Sequence, residues 1–153
     1  MPEKRTLERA KEDEEHGKRP TTQAGEFVRE EMDHIREGKH GARSSKQAIA
    51  IGLSKARRAG VKLPPPEAGQ ASPATRKKAE QDYKKGQSKK AAKKPSRKRS
   101  QATTKALKRE GTAAASHSSL SKQAKSVARK RSSTAKKSSS AKSSTTTSNR
   151  RQA

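Results

Sequence analysis

Residues 22–60 read TQAGEFVREEMDHIREGKHGARSSKQAIAIGLSKARRAG, and this stretch decides the fold. Ala24, Phe27, Val28, Met32 and Ile35 recur at three- and four-residue spacing, the mark of one apolar helix face. Arg29, Glu30, Asp33 and Arg36 occupy the other side. The pattern predicts a helix from about Gln23 to Glu37, with Thr22 as its N-cap and Gly38 as its left-handed stop. Ser44-x-x-Gln47 then matches a capping box, in which the hydroxyl accepts from an orphan amide and the glutamine reaches back. A second helix is predicted over about Ser45–Ala59, with Ile49, Leu53 and Ala56 on one face and Ile51 to the side. Gly60 and Val61 suit its end, and Leu63-Pro64-Pro65-Pro66 begins an extended stretch. Two antiparallel helices around a loop, Lys39–Arg43, are expected.

Outward from this hairpin the apolar signal fades. Residues 1–20 are charged, with an acidic cluster at Glu12, Asp13, Glu14 and Glu15. A frayed helix from Pro2 to about His16 is predicted, with only Leu7 and Ala10 to bury. From Glu67 onward 25 Lys/Arg face four acids, Glu67, Glu80, Asp82 and Glu110, so this stretch carries most of the chain's net charge of +25. Hydrophobic residues make up 25% of the chain and aromatics 1%, too little to offset the entropy of ordering most of the backbone. A nascent helix is expected near Ser72–Lys85, and Ser132–Ala153 reads as Ser/Thr/Lys/Ala low complexity. The chain is therefore expected to be mostly disordered, with a small all-α helical hairpin in its N-terminal third. A charged N-terminal helix (1–20), a hairpin module (21–66) and a basic disordered tail (67–153) follow. So small a hairpin is marginal alone, which suggests that it dimerises, packs with the first helix or orders on a ligand.

Several function classes drop out. Cysteine is absent, which removes disulfides, thiolate metal sites and thiol nucleophiles. The N-terminus lacks a signal peptide's apolar core and no run is long enough to span a membrane, so a soluble intracellular protein is expected. Neither a Gly-rich phosphate loop nor a Ser–His–Asp constellation is visible, so neither catalysis nor a cofactor is expected. Glu31-x-x-His34 has the spacing of half a carboxylate-bridged metal site, yet no other helix carries a matching motif. His34 then reads as a helix-surface residue, His16, His40 and His117 stand apart, and no metal is expected.

What remains is polyanion binding. Arg76-Lys77-Lys78, Lys89-Lys90, Lys93-Lys94, Arg97-Lys98-Arg99, Arg129-Lys130-Arg131 and Lys136-Lys137 recur between small, flexible spacers. Such a ladder suits a phosphate backbone, where each neutralised phosphate releases a counterion. Arg57 and Arg58, ending the second hairpin helix, are candidates for a further phosphate contact; the plainer role is to complement the helix dipole. Tyr83 alone offers no stacking platform and no base-reading motif is present, so binding without sequence specificity is expected.

Gly25–Ser44 continuing into Lys46–Gly60 resembles a family of short bacterial proteins of unknown function, many with Lys/Arg/Ala-rich histone-like tails. Ala106–Glu110 and Leu120–Ala124 are similar to that family's second block. The resemblance implies a bacterial cytoplasm and carries over no activity. The function expected is that of a nucleoid-associated, histone-like protein on duplex DNA, with the hairpin as its docking or homodimerisation unit and no membrane partner. A hydrophilin-like stress-protective protein and a hairpin-mediated protein adaptor are the alternatives.

Overall fold

Pro20 sets where the hairpin begins. Its ring presets a helical φ, and its missing N–H falls among amides that lack a partner in any first turn. In the computed structural model, which describes residues 2–88 and 96–148 (side chains as far as Ser133), helix α2 accordingly spans Pro20–Arg36 with Arg19 as N-cap. It starts ahead of Thr22, the residue expected to cap it. At its other end Gly38 adopts φ 72°, its amide donates to Ile35 O (3.1 Å) and the Lys39 amide to His34 O (2.9 Å). This Schellman turn reverses the chain.

Helix α3 spans Ser45–Ala59. Ser44 Oγ accepts from the Gln47 amide (3.3 Å), and Gly60 closes the helix at φ 106° with Val61 N donating to Ala56 O (3.2 Å). Gln47 Oε1 reaches back to the Arg43 amide (3.0 Å), one residue before the position a capping box predicts. The packing face differs from the one its large residues suggested. Ser45, Ala48, Gly52 and Ala56 are buried, whereas Ile49, Ile51 and Leu53 are half-buried. The small face lets the backbones approach: a Cβ on Gly52 would stand 2.7 Å from Val28 Cα.

Helix α1, Lys4–Glu15, packs on α2 through Thr6, Ala10 and Asp13, leaving Leu7 40% exposed. The core joins Ala10, Ala24, Phe27, Ala56, Val61 and Leu63, with Leu53 against it. Half of these are alanines, so the core is built by close approach as much as by bulk.

The expectation of a mostly disordered chain is overturned. Helix α4, Pro73–Gln87, lies against α3, burying Ala79 and Asp82. Helix α5, Arg97–Lys108, leads into a segment that docks on the α2–α3 loop. There the Gly41 amide donates to Leu107 O (2.9 Å) and the Ala42 amide to Gly111 O (3.2 Å). A 3-10 turn, Ala113–Ala115, follows, and Ser45 Oγ and Arg36 Nε donate to its Ala114 (2.8 Å) and Ala115 (3.2 Å) carbonyls. Low hydrophobic content misleads here because the segment is attached by the small side chains of Ala114 and Ala115 and by hydrogen bonds to backbone carbonyls, neither of which needs large apolar groups.

The chain divides into two units, Met1–Ser116 and His117–Ala153. The second holds helix α6, His117–Ser148, which overturns the disorder expected of the low-complexity end up to Ser148. No Gly or Pro interrupts it, and Ser126, Ser132 and Ser133 satisfy their hydroxyls on carbonyls three residues earlier. No helix among the described residues is long and apolar enough to cross a membrane.

Candidate nucleic-acid interface

Helix α4 shows how a basic helix is docked. Ser72 Oγ accepts from the Thr75 amide (3.2 Å) and Pro73 occupies the first turn. Ala79, Asp82 and Gly86, three or four residues apart, make the inner stripe. Asp82 anchors it, accepting from Ser54 Oγ (2.7 Å) while Arg58 Nε lies 3.1 Å from its other oxygen. By the 3.6-residue period Lys77 and Lys84 fall on the far side, flanked by Lys78 and Lys85, and all four are exposed. Lys84 pairs with Glu80 (2.6 Å), and that hydrogen bond, then the lysine's charge, holds the Glu80 carboxyl below its ordinary 4.5. Arg76 is exposed too, with Nε donating to Pro66 O (3.3 Å).

The two hairpin arginines turn inward. Arg57 is 7% exposed and donates from Nε to Leu63 O (3.3 Å) and from Nη2 to Pro64 O (3.2 Å). Burial pulls its pKa down, opposed in part by the Asp82 charge. Its role is to clamp the chain leaving α3. Arg58 keeps an exposed flank but spends its donors on Asp82 and on Ser54 Oγ (2.6 Å).

Arg97, Lys98 and Arg99 are exposed on the first turn of α5, where no acid offsets the positive end of the helix dipole. Arg129, Lys130 and Arg131 are exposed on α6, in the other unit. Lys136 and Lys137 lie on α6 with side chains outside the described residues, and Lys89, Lys90, Lys93 and Lys94 fall outside the described residues altogether. The described candidate residues thus lie on α3, α4, α5 and α6.

A different cluster does converge. Glu31, His34 and His40 each bring a ligand-type atom within 4.8 Å of the other two. Glu31 is fully buried in α2, and His34 lies one turn later on the same face. His40 comes from the loop that Gly38 turns back, and the two imidazoles meet edge to face with centroids 6.1 Å apart. Glu31-x-x-His34 calls for its partner ligands on another helix, whereas His40 comes from the adjoining loop. The signal for it in the sequence is Gly38, whose reversal returns a histidine only two residues further on to the helix just left.

Residues 19–67 match a family of unknown function, DUF6496. The match covers α2, α3 and the extended chain to Glu67, including Glu31, His34 and His40, and leaves the basic helices α4–α6 outside. Among curated proteins and among solved structures, nothing matches.

Proposed function

We propose that the protein binds nucleic acid without sequence specificity, as a histone-like component of a bacterial nucleoid, through exposed lysines and arginines of α4, α5 and α6. The observation that carries this reading is the division of α4. Its only described buried charge, Asp82, faces α3, and Lys77, Lys78, Lys84 and Lys85 are left outside. A helix docked this way presents cations at a fixed spacing and loses less side-chain and backbone freedom on meeting phosphate than a disordered tail does. The helical unit at Pro20–Ala59 serves as the platform that holds α4 in place. Arg57 has no part in the interface, because its guanidinium already donates to two carbonyls.

The test is a competition of duplex DNA against structured RNA over a salt series with the full-length protein. Roughly 10 phosphate contacts give a log–log slope of about −9 on duplex DNA, independent of sequence. Absent binding, or binding that salt does not weaken, overturns the reading. A preference for RNA changes the partner while leaving the phosphate mechanism in place.

A further inference from the structure

We propose that Glu31, His34 and His40 form a binding site for a divalent transition-metal ion of the zinc class. Two imidazoles and one carboxylate are a donor set suited to such ions, with a fourth position open to water.

The buried carboxylate carries the inference. Glu31 is 0% exposed, and neither of its oxygens accepts a hydrogen bond. Lys55 Nζ stands 2.7 Å from Oε2 and His40 Nε2 stands 3.4 Å from Oε1. Both are close by distance, but neither approach has hydrogen-bond geometry. A buried carboxylate held this way is costly. Charge does not balance either. Lys55 is shared with the buried Glu30, whose Oε1 lies 3.3 Å away, so one ammonium faces two buried carboxylates.

The histidines are set up as ligands usually are. A carbonyl can only accept, so in the neutral ring, the form that ligates a metal, the 3.3 Å contact to Gly41 O holds the His40 proton on Nδ1 and gives Nε2, beside Glu31, the lone pair. A carboxylate likewise only accepts, so the 2.8 Å contact between His34 Nε2 and Glu3 Oε1 holds a proton on Nε2, and in the neutral ring Nδ1 is then the ligand atom. Outer partners of this kind, one backbone carbonyl and one carboxylate, orient metal-bound imidazoles in general. Bonds of about 2.0–2.2 Å require the donors to close up by roughly 1 Å from their present spread, a movement within reach of side-chain rotation on the His40 loop. A cleft bordered by Glu3, His34 and Lys39 reaches the cluster at His34.

The site is tested by titrating the full-length protein with zinc chloride in a calorimeter and with cobalt chloride in a spectrophotometer. One ion per chain is expected, with visible d–d bands of a low-coordinate cobalt site. His34→Gln and His40→Gln should each weaken binding more than about tenfold, and Glu3→Gln by about tenfold. A His16→Gln/His117→Gln double variant should bind as the natural chain does. The wild-type imidazole resonances give a second readout that needs no substitution: zinc should shift His34 and His40 and leave His16 and His117 in place. Absence of binding, retention of full affinity in the His34→Gln/His40→Gln chain, or zinc shifts centred on His16 or His117 overturns the proposal.

Discussion

Arg58 Nε lies 3.1 Å from Asp82 Oδ1, and this pair couples the end of the hairpin to the basic half of the chain. Asp82 is one of only four acids after residue 66. It also accepts from Ser54 Oγ at 2.7 Å, so two α3 side chains converge on one α4 carboxylate. A second of the four, Glu110, stands 3.8 Å from Arg43 in the α2–α3 loop. Two of the four acids of the basic stretch thus help to attach it.

Asp82→Ala should detach α4. Removing one partner of a buried polar contact costs about 1–3 kcal/mol, here reduced at the half-exposed Arg58. Urea unfolding should show the loss, and amide exchange should quicken through α4 before it does in α2. Equal exchange in α4 with and without the substitution would contradict the docking.

Gly52→Ala and Gly86→Ala test the close contacts by their sign. In an open helix the change from Gly to Ala stabilises by about 1 kcal/mol. Here a Cβ on Gly52 would stand 2.7 Å from Val28 Cα, and one on Gly86 would overlap Arg57 O, in both cases against backbone. Both substitutions should therefore destabilise, by about 1–3 kcal/mol. A rise in melting temperature for Gly86→Ala would show that α4 does not lie on α3.

The Glu80 carboxyl gives a pH signature. Its pKa is held below the ordinary 4.5 by the hydrogen bond from Lys84 and then by that residue's charge. A depressed carboxylate pKa means that the pair's contribution is present above the unfolded value and is lost as pH falls through the folded one. Carbonyl NMR of Glu80 should titrate below 4.5 in the natural chain, and Lys84→Gln should restore the ordinary midpoint. An unshifted midpoint in the natural chain would refute the pair.

The outer face of α4 and the buried Arg57 should respond differently in DNA binding. Replacing Lys77, Lys78 and Lys85 with glutamine should lower the magnitude of the salt slope by about 0.9 per contacted phosphate and leave the melting temperature nearly unchanged. Arg57→Gln should lower stability, because Leu63 and Pro64 lose a buried donor, while the slope stays as it was. The opposite pairing of effects would return Arg57 to the interface and remove the α4 lysines from it.

The hairpin was legible because its signals are local. Phe27, Met32 and Ile35 mark a face, Ser44 caps the next helix and Gly38 and Gly60 end their turns, all within a few residues of one another. The packing face of α3 includes Ala56 as expected, with Leu53 against the core, but it is turned towards Ala48 and Gly52, whose small size allows a nearer approach than Ile49 does. In the candidate site the lysines of α4 could be named from charge, whereas the inward turn of Arg57 depends on carbonyls six and seven residues later.

By itself, then, the sequence determined the two hairpin helices, three of their four ends and a surplus of cations, because caps and glycine turns act within one or two turns of chain and charge is additive. The tertiary structure alone decided that α4 docks through Asp82 and the segment after α5 through Ala113–Ala115, and that His40 returns to Glu31 and His34. Alanine burial, backbone-to-carbonyl bonds and chain reversal involve residues that look unremarkable in a list and become specific only when distant segments touch.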